Sequence, residues 1–338
     1  MHPILFRIPV VDLPVYSYGV MLGLAFICGW YLGLHFANRE GLPYRATMTS
    51  YVLVVIFALV GARLAHVISN PETARMYGLF HALFASKCEG LVAYGGYIGG
   101  TLAAYVYSKL RHFDFWSLTD CSTPSMVLGL GFTRIGCFLA GCCHGEETDL
   151  PWGVVFPQGS QASRVFTGNT APSPPVHPTQ LYESALGFAL VPLAIYLLKR
   201  RKFTGQTFLI LIVCYAVGRF LLEFIRADDD RGTVLGILST SQFIGLVLVP
   251  LAIGLYLWRR QTAPAPPEWL SKEQVQQSLI EQGVIKPDDK ANNDPGAADP
   301  DQRSAGSGKA AKTDNSSKNK NKKGGKRGEK KGQKGRRR

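Results

Sequence analysis

Four arginines, Arg63, Arg134, Arg219 and Arg226, lie inside or at the ends of apolar stretches long enough to span a bilayer. A guanidinium at membrane depth costs about 2.5–3.5 kcal/mol on insertion scales, so it is rarely retained there without a task. Tyr18, Tyr94, His177, Gln180, Tyr182, Glu183, Tyr215 and Glu223 accompany them. The planar guanidinium fork grips phosphate oxygens two at a time. The set reads as a site for an anionic group, such as a lipid phosphate, at one bilayer face. Tyr215, Arg219, Leu222 and Arg226 follow at i, i+4, i+7 and i+11, one helical stripe, and Glu223 is spaced to pair with Arg219. Two simpler readings stay open: Arg219 and Glu223 merely neutralise each other, and Arg226 snorkels to the interface.

Cys137, Cys142, Cys143 and His144 lie within eight residues. With Arg134, Cys137 and Cys142 read as one helix face. Three roles fit them: small packing residues, a disulfide, or a thiolate site that binds metal or is redox-active. Joining the adjacent Cys142 and Cys143 would strain the bridge. Cys-x4-Cys-Cys-His is not a zinc spacing, so no metal is expected. Cys28, Cys88, Cys121 and Cys214 are dispersed. Gly95-Gly96-Tyr97-Ile98-Gly99-Gly100 holds two overlapping G-x-x-x-G patterns, which let a helix or a lipid chain approach closely.

The elements that must position these residues are apolar runs. Seven read as membrane helices by length and hydropathy: about Tyr16–Phe36, Met48–Ile68, Leu91–Leu110, Ser122–Gly141, Thr179–Leu198, Gln206–Ile225 and Ser239–Trp258. Pro192 and Pro250 fall inside two of them, which membrane helices tolerate. No cleavable signal peptide is read in the first residues. Lys and Arg favour the loops after the first, third, fifth and seventh helices, which puts the N-terminus outside and the C-terminus in the cytoplasm. Threaded that way, the polar residues converge on the outer leaflet, and the inner halves carry few. The expected fold class is an all-α polytopic membrane protein of seven transmembrane helices over residues 1–260.

The formal net charge of +13 over 338 residues resides in the tail. Residues 303–338 hold 15 Lys/Arg and 2 Asp/Glu, and the rest is balanced. Such a segment cannot bury enough apolar surface to fold. It is read as a disordered tail that aids orientation, or is attracted to anionic lipid headgroups or RNA at about 1 kcal/mol per basic residue. Headgroups are the expected partner, and nucleic acid is not. Residues 261–302 read as a Pro-rich linker and one short polar helix near Glu268–Ile285, with no function assigned.

Three segments together resemble the bacterial phosphatidylglycerol–prolipoprotein diacylglyceryl transferases. Arg134-Ile-Gly-Cys-Phe-Leu-Ala-Gly-Cys142 is similar to that family's G-R-x-G-N-F-x-N-x-E signature. His177-Pro-Thr-Gln-Leu-Tyr-Glu183 resembles H-P-[ST]-Q-L-Y-E, and Tyr215 to Arg226 resembles Y-x-x-x-R-F-x-x-E-x-x-R. Gly61-Ala-Arg63-Leu is similar to the G-G-R-L of the second helix. The resemblance spans roughly residues 14–260. It implies transfer of the diacylglyceryl group of phosphatidylglycerol to the lipobox cysteine of a lipoprotein precursor in the bacterial cytoplasmic membrane, without a cofactor. It implies catalytic roles for Arg134, Arg219, Tyr94 and His177. Substrate contacts are implied for Tyr18, Arg63, Gly95, Gly96, Cys137, Cys142, Gln180, Tyr182, Glu183, Tyr215, Glu223 and Arg226. The chain departs from the pattern where Tyr94 replaces a histidine, Cys137 and Ala140 replace asparagines, and Cys142 replaces a glutamate. Glu146 or Glu147 is expected to supply the missing carboxylate, and His144 or His177 the base. The alternatives are a same-fold enzyme acting on another nucleophile through the cysteines, or an anion transporter. A transporter should show inverted repeats and midplane charges, and neither is seen.

Overall fold

The computed structural model describes residues 4–8, 12–72, 75, 92–226, 233–234 and 238–286. A β-hairpin, β1 (Ile4–Ile8) and β2 (Leu13–Tyr16), leads into α1 (Ser17–Arg39), followed by α2 (Tyr44–Ser69) and α3 (Ala93–Leu110). Next come α4 (Phe115–Ala140), the short α5 (Gln161–Thr167), α6 (Thr179–Arg200) and α7 (Gln206–Glu223). A second hairpin, β3 (Thr233–Val234) and β4 (Leu238–Ser239), precedes α8 (Thr240–Thr262) and α9 (Lys272–Glu281). The two hairpins qualify the all-helical expectation. The basic tail lies outside the described residues, as do Cys88 and the start expected for the third helix.

Six helices, α1, α2, α4, α6, α7 and α8, are long and apolar enough to cross a membrane, which makes this a multi-pass membrane protein. The seventh expected span, α3, is a helix but is not among the six. Its 18 residues contain four glycines, four tyrosines and Lys109, which dilute its apolar content. The fourth helix starts at Phe115 rather than near Ser122, because the Asp114 carboxylate caps it by accepting from the Ser117 N–H. Pro124 sits inside α4 as Pro192 does inside α6.

The helices pack where small residues let backbones meet, as expected without a hydrophobic drive between apolar neighbours. In α2 and α3, a Cβ on Gly95 would lie 2.2 Å from the Gly61 carbonyl oxygen, and one on Gly99 would lie 2.3 Å from that of Phe57. Gly187 of α6 backs onto Gly131 of α4, where the Ser184 hydroxyl donates to the Gly131 carbonyl at 2.9 Å. One apolar cluster gathers Val127, Leu190, Ala194 and Leu211 from α4, α6 and α7. Side chains such as Ile27, Tyr31, Ile98, Leu102 and Leu257 are exposed, and in a bilayer they meet lipid.

One end of the bundle is tied by a buried ion network that the sequence did not suggest. Arg201, just past α6, pairs with Glu40 at the end of α1 and with Asp120 in α4, the latter at 2.8 Å. Asp120 also accepts the Gly205 N–H at 2.7 Å and the Phe208 N–H at 2.9 Å. It thus caps α7 from another helix, where the α7 N-cap itself is a glycine with no side chain. The Cys121 thiol donates to Glu40 at 2.8 Å. The expectation of few polar groups at this end fails because Asp120 falls inside a helix whose start the sequence placed too late.

The segment after α8 packs on this same end. The Trp269 ring meets Phe36 edge-on at 5.8 Å between centroids, and the Arg39 guanidinium lies 5.7 Å above it. The Leu270 N–H donates to the Arg39 carbonyl at 2.8 Å. Gln282 accepts the Tyr44 N–H at 2.8 Å, satisfying an orphan donor at the start of α2.

Candidate active site

The site forms at the opposite end of the helices. Glu183, in the second turn of α6, is its hub, with a side chain only 1% exposed. Arg134 of α4 reaches Glu183 Oε1 at 2.9 Å, Arg219 of α7 reaches the same oxygen at 3.8 Å, and Arg226 reaches Oε2 at 3.6 Å. The Tyr215 hydroxyl donates to Glu183 at 3.0 Å. Arg219 also pairs with Glu223 one turn on. A buried carboxylate is tolerated only when charges and donors surround it, and here three guanidiniums and a phenol do so.

Arg226 does not snorkel. α7 stops at Glu223, and i→i−3 bonds continue the turn through Arg226, whose backbone bridges to Gly145. Its side chain is 2% exposed and directed at Glu183. Arg134 keeps an Nε–H that is buried and has no hydrogen-bond partner, while 17% of its side chain is exposed. Arg134 is the most exposed of the three guanidiniums, so it is the one that an anionic oxygen can approach.

Tyr94, at the start of α3, donates to the Ser241 hydroxyl at 3.5 Å, and Arg219 Nη2 reaches the same hydroxyl at 3.5 Å. Ser241 was not foreseen, although a polar residue in the first turn of α8 lies at the end of the bundle that singled out the others. His177 is held differently. Its Nδ1 lies 3.3 Å from the Tyr182 hydroxyl, which accepts from Trp152 Nε1 at 2.8 Å. Tyr18, 38% exposed, covers Gly136, two residues past Arg134. Arg63 is half-buried in the last two turns of α2 and is not among the guanidiniums paired with Glu183.

Several expected contacts fall elsewhere. The Cβ positions of Gly95 and Gly96 are taken up by α2, so these glycines serve helix packing. Glu146 and Glu147 are exposed, and the buried carboxylate is Glu183. His144 is fully buried against Phe156 and Phe166 with its Nδ1 near the Gly145 carbonyl, too enclosed to act as a base on a substrate. Phe156, Ala162 and Val176 form a small core beneath the loop between α4 and α6.

α4 ends in a Schellman turn. Gly141 adopts φ 76°, and the Gly141 and Cys142 N–H groups return to the Phe138 and Cys137 carbonyls. Cys142 therefore lies beyond the helix, not on its face. Cys143 takes φ 62°, unusual for a residue with a side chain. The sulfurs of Cys137, Cys142 and Cys143 consequently lie within 4.8 Å of one another, all as thiols. Gln180 Nε2 donates to the Cys142 carbonyl at 2.6 Å and the Thr179 hydroxyl to that of Cys143 at 2.9 Å, which ties this turn to α6. Hydrogen bonds from the Cys137 and Cys142 thiols, helped by Arg226 and Arg134, hold the Cys143 thiol below its usual range against the effect of burial.

An apolar cavity of about 450 Å³ runs between α1, α2, α3 and α4. Leu22, Phe26, Trp30, Val54, Tyr97 and Met126 line it, and it extends to Thr133, the neighbour of Arg134.

Fold and site define a multi-pass helical membrane protein with a cluster of arginines around a buried carboxylate. Comparison with known proteins narrows that class. The prolipoprotein diacylglyceryl transferase family profile matches residues 3–258. A phosphatidylglycerol–prolipoprotein diacylglyceryl transferase 2 from Clostridium perfringens is 34% identical over 247 residues, 73% of this chain and 92% of the relative. A phosphatidylglycerol–prolipoprotein diacylglyceryl transferase from Clostridium tetani is 33% identical over 263 residues, 76% and 97% respectively. One from Dehalococcoides mccartyi is 32% identical over 264 residues, 77% and 94%. The chain belongs to the prolipoprotein diacylglyceryl transferase family and is a transferase.

Proposed function

We propose that this chain transfers the diacylglyceryl group of phosphatidylglycerol to the lipobox cysteine of lipoprotein precursors. The observation that carries this reading is the convergence of Arg134, Arg219 and Arg226 on Glu183, with Arg134 the most exposed of the three to an incoming anion. In the reaction, the cysteine sulfur bonds to the glycerol carbon and the carbon–oxygen bond to phosphate breaks. Glycerol phosphate leaves, and the thiol proton is passed on, finally to the leaving group or solvent. Charge grows on the phosphate oxygens as that bond breaks, and guanidiniums fixed in a dry site stabilise it with little reorganisation. Glu183 is the positioning residue that holds the forks. An acyl chain in the cavity beside Thr133 would bring the lipid phosphate to Arg134.

Tyr94 is the favoured group for moving the thiol proton, because Ser241 links it to Arg219. His177, bonded to Tyr182, better suits shaping the rim where the precursor enters.

Further parts of the reading concern the membrane. α3 packs against α2 along the glycine seam, so it would cross the bilayer with α2 as a seventh span of about 27 Å. The Lys/Arg bias favours an outer N-terminus, a cytoplasmic C-terminus and a bacterial cytoplasmic membrane, with the site facing outward. The basic tail would then meet anionic headgroups on the inner face.

Complementation tests the function. Expressed in cells depleted of their own transferase, the chain should restore lipidated lipoproteins. A correctly inserted chain that leaves precursors unmodified would overturn the proposal.

A further inference from the structure

The sequence spacing of the cysteines at the end of α4 carries no metal pattern, but the fold brings their sulfurs together. Cys137 sits on the last turn of α4, the left-handed Gly141 ends the helix, and the left-handed Cys143 folds the chain back. The three sulfurs fall within 4.8 Å of one another. Sulfurs about 2.3 Å from a shared metal lie about 4 Å apart in a trigonal plane, so sub-ångström movements would close the set. His144, next to Cys143 in the chain, is packed against Phe156 and Phe166 and is not counted as a ligand.

We propose that Cys137, Cys142 and Cys143 form a three-thiolate site for a soft d10 metal ion, Cu(I) in particular. An all-sulfur, three-coordinate set favours a soft monovalent ion over zinc, which prefers four ligands. Each ligating thiol gives up its proton to solvent as the metal–sulfur bond forms, with no change of oxidation state. The surroundings suit the resulting negative charge. Arg134 is one turn from Cys137, and Arg226 is bridged to Gly145, two residues from Cys143. The turn is also held by Gln180 and Thr179, so its backbone is fixed before an ion arrives. Cys28, Cys121 and Cys214 lie on other parts of the fold and are not members of the cluster.

The test uses the full-length chain purified in detergent, fully reduced and without oxygen. Cu(I) is titrated in the presence of bicinchoninate, a coloured competitor. The wild-type chain should withdraw one equivalent, and C28S and C214S should do the same. C142S and C143S, in the turn beyond the helix, should each lose that equivalent while eluting as folded protein. X-ray absorption of the copper-loaded wild type, which needs no variant, should show a sulfur-only shell. Failure of the wild type to compete, uptake unaffected by C142S and C143S, a shell containing nitrogen or oxygen, or a disulfide within the trio in membrane-isolated protein would each overturn the proposal.

Discussion

Arg134 brings a planar fork, a charge and an unpartnered Nε–H to the same place. Arg134→Ala should lower transfer at least about 10²-fold, the range seen when one fixed donor to a developing oxyanion is lost. Arg134→Lys should recover little, because a point charge does not reproduce the fork. An assay of purified protein with a lipobox peptide and phosphatidylglycerol checks both, and full turnover by the alanine variant would remove Arg134 from the chemistry. Glu183→Gln keeps the shape but leaves three largely enclosed guanidiniums without their shared carboxylate. Breaking such a set costs about 3–5 kcal/mol, so the variant should melt earlier in detergent as well as turn over slowly. Tyr94→Phe should lower kcat about 10²-fold or more with little change in melting, the scale of a lost proton-transfer group. An unchanged kcat would assign proton transfer to another group.

At the scale of the helices, two devices hold the bundle. The first is the glycine seam between α2 and α3, where a Cβ on Gly95 would stand 2.2 Å from the Gly61 oxygen. Gly95→Ala must push the helices apart and should destabilise by about 1–3 kcal/mol, read as a lower melting temperature and reduced accumulation. A neutral result would show that the two backbones can separate freely. The second is Asp120, which pairs with Arg201 and caps α7. Asp120→Ala should cost more than a lost cap alone, which is worth about 0.5–2 kcal/mol, because it also strips Arg201 of a partner. Because Asp120 is remote from Glu183, the folded fraction should retain its turnover per molecule.

For the whole molecule, the charged tail and the segment before it separate into different roles. Trp269 and Gln282 pack on the ends of α1 and α2, so residues 263–283 belong physically with the membrane helices. A chain ending after Lys286 should transfer as well as the full chain and differ at most in surface association. A chain ending after Thr262 should melt earlier, having lost the Trp269 contact and the Gln282 cap. Thermal scans of the two truncations, run beside the transfer assay, distinguish these outcomes. Equal melting would mean that the Trp269 contact contributes nothing to the bundle.

The apolar runs alone determined most of the helices, since length and hydropathy leave a chain few choices in a bilayer. The arginines were legible for the same reason: a charge at membrane depth stands out in one dimension. Pairing was legible only where it was local, as between Arg219 and Glu223. The hub role of Glu183 was not, because Arg134, Arg219 and Arg226 reach it from separate segments. Nor were the glycine contacts of Gly95 and Gly96, the Ser241 link from Tyr94 to Arg219, or the trans cap by Asp120. The cysteines show the limit most clearly. Their spacing suggested one helix face, but a Schellman turn at Gly141 ended the helix and gathered three sulfurs that no linear pattern joins. Periodicity records which residues face one way along a single element; where elements stop and which side chains then meet depends on packing in three dimensions.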